Sequence, residues 1–216
     1  MLLAKTRFSL LAFLEDNAET FLAEARALPP EEFDTWLDSG ASNLPWPGFM
    51  LIDRDSPHVL PEGLPDPRTL VPRSVALLDQ RPEVIFAGYS VLRPGAHIPS
   101  HKDLKPDSTL RCHLGISVPT AAAMRVANRL LRWEEGRTLV FDGNVDHEAI
   151  NLDAEHRVVM LVDFHMTDEE RRYVDEVQAS VDPAWLVSGA GEGIFDEADV
   201  RTGRVLHRAE AGPRPR

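Results

Sequence analysis

The sequence contains a single cysteine, Cys112, so it can form neither an internal disulfide nor a thiolate metal cluster. A reducing, cytoplasmic setting is the simplest expectation. Basic residues are also scarce: 23 Lys and Arg stand against 35 Asp and Glu, a formal net charge of −12. Phosphate contacts need a basic face, which this chain would have to assemble against its own field, so no nucleic-acid partner is expected. No apolar run approaches the ~20 residues of a membrane-spanning helix. The run Phe8 to Leu14 follows Lys5 and Arg7 but is cut off by Glu15 and Asp16, and no small-residue cleavage site follows. That pattern argues against an export signal. Internal repeats and low-complexity tracts are absent too, which excludes solenoids and linker-like segments.

What remains is ordinary globular chemistry, and 216 residues with 43% hydrophobic content can bury a core without staples. One domain over residues 1–216 is expected. It comprises a helical N-terminal region with a proline-rich loop (1–82), a β core (83–166) and a C-terminal helix and tail (167–216). Leu10, Leu11, Leu14, Phe21, Leu22 and Ala25 recur at helical spacing. Residues 8–38 therefore read as two helices broken at Pro29–Pro30, the second starting at Pro30, Glu31 and Glu32. Residues 53–73 carry five prolines (57, 61, 65, 67 and 72) and read as a long loop of the kind that forms lids. From Glu83 onward short β-like runs alternate with turns such as Arg93-Pro94-Gly95 and Asp142-Gly143. Strands at this spacing predict an antiparallel sandwich or barrel. Thr167 is placed to cap a helix beginning at Asp168, and the tail from Pro183 reads as a loosely attached extension.

Polar residues stand out in the strands. In "HIPSHKDLKPDSTLRCHLGISVP" (97–119), His101 and Asp103 form a His-x-Asp pair that projects to one side of a strand. A third ligand has to come from elsewhere, and His147, opening a new run after "FDGNVD", is the best candidate. Two histidines and a carboxylate leave adjacent positions open on a metal, as in non-haem iron(II) oxygenases. Taken alone, a His-x-Asp with a distant His is weak evidence for a metal, and a solvated turn explains it better. Arg157 opens the apolar run "RVVMLVDF", where a guanidinium needs an anion, either a ligand or a neighbour such as Asp146, Asp153 or Glu155. Arg111 and His113 share a strand face, suited to an anion or to an exposed edge. Cys112 falls on the opposite face as a small hydrophobe. Trp133 reads as packing, His97 as structural, His165 as a residue behind the site, and His58, His156 and His207 as solvated.

The segments "YSVLRPGAHIPSH", "LRCHLGISVP", "RVANRLLRWEEGRTLVFDGNVDHEAINLDAEHR" and "VVMLVDFH" resemble the aspartyl/asparaginyl β-hydroxylase group of iron(II)- and 2-oxoglutarate-dependent dioxygenases. The resemblance spans about residues 83–166, with a fainter echo at "LPWPGFML". It implies a mainly β fold with peripheral helices, a double-stranded β-helix of the jelly-roll, cupin-like type. It also implies hydroxylation of an unactivated C–H bond, using O2 and releasing succinate and CO2. By matching position, His101 and His147 correspond to the iron ligands. Ser90 and Arg157 correspond to residues gripping the distal carboxylate of 2-oxoglutarate, Arg111 and His113 to residues near its other carboxylate, and Trp46 to an aromatic lining the pocket.

Two departures qualify the resemblance. Peptide-modifying animal members have glycine where this chain has Asp103, so a full His101–Asp103–His147 triad is expected here. They also have a substrate-facing arginine where this chain has Thr109. That shift points away from an aspartyl side chain in a protein domain and toward a small amino-acid-like substrate, possibly carrier-tethered. Arg125, Arg129 and Thr109 are the candidates for holding it. The alternative from another class is a non-catalytic cupin-like sensor that binds a metal or 2-oxoglutarate.

Overall fold

The computed structural model describes residues 3–35, 42–54, 66–192 and 197–202. The strands are β1 (Asp34–Thr35), β2 (Pro47–Asp53), β3 (Val84–Leu92), β4 (His97–His101), β5 (Thr109–Ser117), β6 (Ala122–Val126), β7 (Arg129–Leu131), β8 (Thr138–Phe141), β9 (His147–Asn151) and β10 (Arg157–His165). They form a major sheet, β1-β2-β3-β10-β5-β8, and a minor sheet, β4-β9-β6-β7. From β3 onward the chain crosses back and forth between the two sheets, and every paired strand is antiparallel. This is the double-stranded β-helix expected from the strand spacing and the resemblance.

The central strand β10 explains its own sequence. It lies between β3 and β5 and is covered on both faces, so "RVVMLVDF" reads as one apolar run with no solvent-facing half. Met160, Val162 and Phe164 face the helices, together with Cys112 and Leu114 of β5. Cys112 is wholly buried there, as the strand alternation required. The helical layer comprises α1 (Ser9–Asp16), α2 (Ala18–Ala27), α3 (Pro67–Leu70), α4 (Pro72–Leu78) and α5 (Asp168–Gln178), followed by α6 (Glu197–Thr202) on the opposite side. Phe8 packs edge-on against Phe164 with ring centroids 6.1 Å apart. Tyr89 of β3 donates its hydroxyl to the Phe21 carbonyl at 3.1 Å. Thr167 caps α5, and Glu170 completes a reciprocal capping box.

Several expectations shift. The helical break falls at Asn17, between α1 and α2, and Pro30–Glu32 is only a single 3-10 turn before β1. Residues 67–73 of the expected proline-rich loop are largely helical, with the second helix running on to Leu78, because Pro67 and Pro72 sit in first turns where no N–H is needed. Residues 55–65 of that loop lie outside the described residues. The tail is not loosely attached over its described residues, 183–192 and 197–202: Trp185 is buried, and Val200 of α6 packs with Ala123, Leu130 and Ile150 on the outer face of the minor sheet. Residues 203–216 lie outside the described residues.

Candidate active site

The space between the two sheets is where the polar strand residues meet. In the minor sheet His101 at the end of β4 pairs directly with His147 at the start of β9, and their rings are 4.3 Å apart, centroid to centroid. Asp103 joins them because its N–H donates to the Gly143 carbonyl at 2.8 Å. Glycine at 143 leaves the carboxylate its room, since a Cβ there would stand 2.5 Å from Asp103 Oδ2 and one of the two would have to shift. One ligand atom from each of the three residues lies within 4.8 Å of the others. The His101 Nε2–Asp103 Oδ1 and His147 Nε2–Asp103 Oδ2 distances are 3.7 and 3.8 Å, too long for hydrogen bonds.

Backbone contacts fix what these rings offer. His101 Nδ1 lies 2.7 Å from the Pro99 carbonyl and His147 Nδ1 2.9 Å from that of Val145. A carbonyl only accepts, so each Nδ1–H donates and each neutral ring turns its Nε2 lone pair inward. Burial lowers the His147 pKa to about 4, and the Asp103 charge opposes this only in part. That ring is a neutral donor at ordinary pH. For His101, burial is outweighed by Asp103 and the Pro99 carbonyl, and its pKa rises. Burial alone would also raise the Asp103 pKa, but Arg111 and the two histidines hold it well below the usual carboxylate range. Asp103 Oδ2 is buried with no aligned hydrogen bond, although Arg111 Nη1 lies 2.7 Å away as a charge. Two imidazole Nε2 atoms and a carboxylate facing one point, the carboxylate charge balanced by Arg111 on one side, fit a divalent cation.

Next to this triad lies a pocket suited to an anion. Arg157, at the start of β10, is 2% exposed, and its guanidinium sits 4.7 Å over the Trp133 ring. Its Nε has no partner, and Nη1 makes one long contact, 3.4 Å, to the Ser90 carbonyl. None of the acidic neighbours in sequence reaches it: Asp146 pairs with Arg125, and Asp153 and Glu155 lie on the exposed turn. Burial pulls the Arg157 pKa down to about 9. Ser90 Oγ accepts from Trp46 Nε1 at 2.9 Å, which leaves the hydroxyl proton for another partner. His113 Nδ1 accepts from Trp133 Nε1 at 3.1 Å. Indole only donates, so His113 carries its proton on Nε2, which is buried without a partner. Burial, then the charges of Arg157, Arg111 and His147, push the His113 pKa well down, so the ring is a neutral N–H donor. Phe141 bridges the two halves, its ring 5.2 Å from both His113 and His147.

Other candidates fall differently. Arg111 is not a free clamp: its Nε and Nη2 hold Asp163 at 2.7 and 2.8 Å, while Nη1 faces Asp103. Arg125 was expected to meet substrate, but it is 1% exposed and bonded to Asp146, Glu148, Ser100 and the Ala127 carbonyl. Its position on the sheet explains this placement. Arg125 pairs with Glu148, one residue out of phase with His147, and so points to the outer face. Arg129 is exposed and lies in the cross-strand row of Val126 and His147, two strands from His147. Thr109 is 2% exposed with its Oγ1 unpartnered, on the β5 face shared by Arg111 and His113. His97 is structural, 2.5 Å from Glu148. His165 and His156 are exposed, and His58 and His207 lie outside the described residues. Trp133, Gly143 and Asp163 went unrecognised as site residues. The unbroken "WEEG" and "FDG" around two of them were the available signals.

The family model and the curated relatives point to one family. The model of the family described as Aspartyl/Asparaginyl beta-hydroxylase matches residues 13–167. The chain is 38% identical over 96 residues to an ornithine lipid ester-linked acyl 2-hydroxylase of Rhizobium tropici, covering 43% of this chain and 34% of that protein. It is 32% identical over 110 residues to the human aspartyl/asparaginyl beta-hydroxylase, covering 47% of this chain and 14% of that protein. The matched part is thus about a third or less of these relatives. Among solved structures, a Pseudomonas putida prolyl-4-hydroxylase aligns with a TM-score of 0.47 at 17% identity, over 71% of this chain and 88% of that one.

Proposed function

The chain belongs to the aspartyl/asparaginyl β-hydroxylase family, and from that premise we propose that it is an iron(II)- and 2-oxoglutarate-dependent hydroxylase acting on an amino-acid-like small molecule, free or carrier- or peptide-linked. One observation carries the reading. Three inward lone-pair donors stand beside a buried guanidinium that pairs with no carboxylate among the described residues. His101, Asp103 and His147 would hold the iron. Arg157, with the Ser90 hydroxyl set by Trp46, would hold the distal carboxylate of 2-oxoglutarate, and His113 Nε2–H would donate to its other end. When bound, the metal, cosubstrate and O2 supply the oxidising power that hydroxylates an unactivated C–H bond, with succinate and CO2 as co-products.

The residues of this chain bind, orient and exclude water. Arg111 keeps Asp103 ionised and turned inward, while Asp163 keeps Arg111 in place. Phe141 and Trp133 line the interior with apolar surface, which strengthens each polar contact there. Thr109 and Arg129 are the residues toward substrate, the first as a neutral hydroxyl and the second as an exposed cation.

A second reading of the substrate rests on the rim. Leu104, directly after Asp103, is 78% exposed and held at φ +54°, a backbone region leucine seldom adopts. The Lys102 ammonium donates to the Leu186 carbonyl at 3.0 Å, which brings the exposed Leu186 and Val187 beside the same loop. Such a rim suits an acyl chain, the group named for the Rhizobium relative. The deciding experiment is anaerobic reconstitution with iron(II) and 2-oxoglutarate, then O2 in the presence of amino-acid derivatives, carrier-linked amino acids or acyl amides. Succinate release stimulated by a member of one panel, with a +16 Da product, assigns the class. Metal and 2-oxoglutarate binding without turnover on any panel would favour the sensor.

A further inference from the structure

The strand pairing that should hold His101 against His147 is interrupted. β4 and β9 pair at His97–Ile150, Ile98–Ala149 and His101–His147, with a register shift between Ile98 and His101. Pro99, within that gap, has no N–H to give. Something besides the ladder must fix the spacing of the two ligands. On the outer face, Arg125 Nη2 donates to Ser100 Oγ at 2.8 Å and to Asp146 Oδ1 at 2.7 Å, while its Nε donates to Glu148 at 3.2 Å. Ser100 Oγ also donates to Asp146 at 2.7 Å. Each of these partners is the immediate neighbour of a ligand: Ser100 precedes His101, and Asp146 and Glu148 flank His147.

The cluster is closed by the C-terminal segment. The Gly189 N–H donates to Asp146 Oδ2 at 2.8 Å, and the Gly191 N–H to Asp146 Oδ1 at 3.0 Å. Asp146 N–H donates back to the Trp185 carbonyl at 2.9 Å, and Arg125 lies 5.7 Å from the Trp185 ring centroid. Gly191 lies so close that a Cβ would stand 2.1 Å from the Arg125 guanidinium carbon.

We propose that Arg125, Asp146 and Ser100 are positioning residues that set the His101–His147 spacing from behind the sheet, and that residues 185–191 clasp them, so that metal affinity depends on a segment containing no ligand. The inference rests on the metal-site reading above. Buried ionic groups are costly to desolvate, and fixing register is their best-attested use. Here the register is that of the two ligand strands.

The test is a cobalt(II) titration of the full metal-free chain, followed by visible absorption and thermal unfolding. Gly191→Ala is expected to weaken cobalt binding by about tenfold or more and to alter the spectrum of bound cobalt. Arg201→Ala removes a tail contact to the Leu152 carbonyl at 3.1 Å, away from the cluster, and is expected to bind as the parent does. Arg125→Lys should recover part of the affinity lost in Arg125→Met. Parent-like affinity and spectrum in Gly191→Ala, even with a lowered unfolding temperature, would overturn the proposal. So would equal weakening in Arg201→Ala. If Gly191→Ala fails to fold, Ser100→Ala is judged by the same criterion. A parent chain that binds no cobalt would overturn the metal-site reading itself, an outcome distinct from the others.

Discussion

A guanidinium sealed in protein with no counter-charge among the described residues is a cost to the folded chain that a bound anion would offset. Arg157 bears it, over Trp133 and beneath Ser90. Arg157→Ala is therefore expected to weaken 2-oxoglutarate binding to the metal-loaded protein by about 2–3 kcal/mol, roughly 30- to 150-fold. The same change should leave the unliganded protein as stable as before or more so, because an unpaired buried cation is removed. Titration and thermal unfolding of one variant check both halves, and an unchanged 2-oxoglutarate affinity would make Arg157 a structural residue. At this scale the sequence was informative where chemistry is local. His101, His113 and Arg157 announce themselves as polar groups in strands, and Asp103 by its spacing from His101, although it lies just past the end of β4. Arg125 did so too, yet it faces the other way. Which face of β6 is interior is settled by its pairing with β9, and no local pattern carries that phase. Trp133 looked like packing because its role lies in an N–H directed at His113, across a distance the sequence does not display.

Among the elements, α1 is clipped to the major sheet through one carboxylate. Glu15 sits in the last turn, where the helix dipole disfavours an anion. Four donors compensate: the Thr138 N–H and hydroxyl at 2.8 and 2.7 Å, Lys5 at 2.7 Å and Arg137 at 3.1 Å. Burial alone would raise its pKa, but these partners lower it from 4.5 to about 2. A carboxyl depressed on folding contributes stability above its unfolded pKa and loses it as pH falls through the folded value. Glu15→Gln should thus cost about 1–2 kcal/mol at neutral pH, allowing for solvent screening. The gap between variant and parent should close between pH 4.5 and about 2. Denaturant unfolding across that range checks it, and a gap independent of pH would refute the assignment. Strands β3, β5 and β10 could be read directly from their apolar runs. β2 could not, since Pro45, Pro47 and Gly48 carry turn chemistry into a strand that takes its order from β3.

For the whole molecule, the unpartnered nitrogens of His113 and Arg157, with the Asp103 oxygen met only by the charge of Arg111, lie between the sheets and leave polarity there that a ligand can match. Ligands that match it bind the folded chain alone, and mass action converts this into heat resistance. At a hundredfold excess over Kd the gain is about 2.7 kcal/mol, or roughly 5–10 °C for a chain of this size. Anaerobic unfolding scans with iron(II) and 2-oxoglutarate should show that rise, and a chelator should abolish it. A midpoint indifferent to both would contradict a site between the sheets. The membrane question has a narrower answer at this scale: among the described residues, no helix is long and apolar enough to cross a bilayer.

Gly143 leaves a diagnostic for sequences not yet folded. Its missing side chain is the room that the Asp103 carboxylate occupies, so any larger residue at 143 has to push that carboxylate from its place. A relative that keeps an aspartate at the first position but enlarges the second has a carboxylate with nowhere to stand. Such a chain would be sorted with the two-histidine members, whatever its His-x-Asp spelling promises.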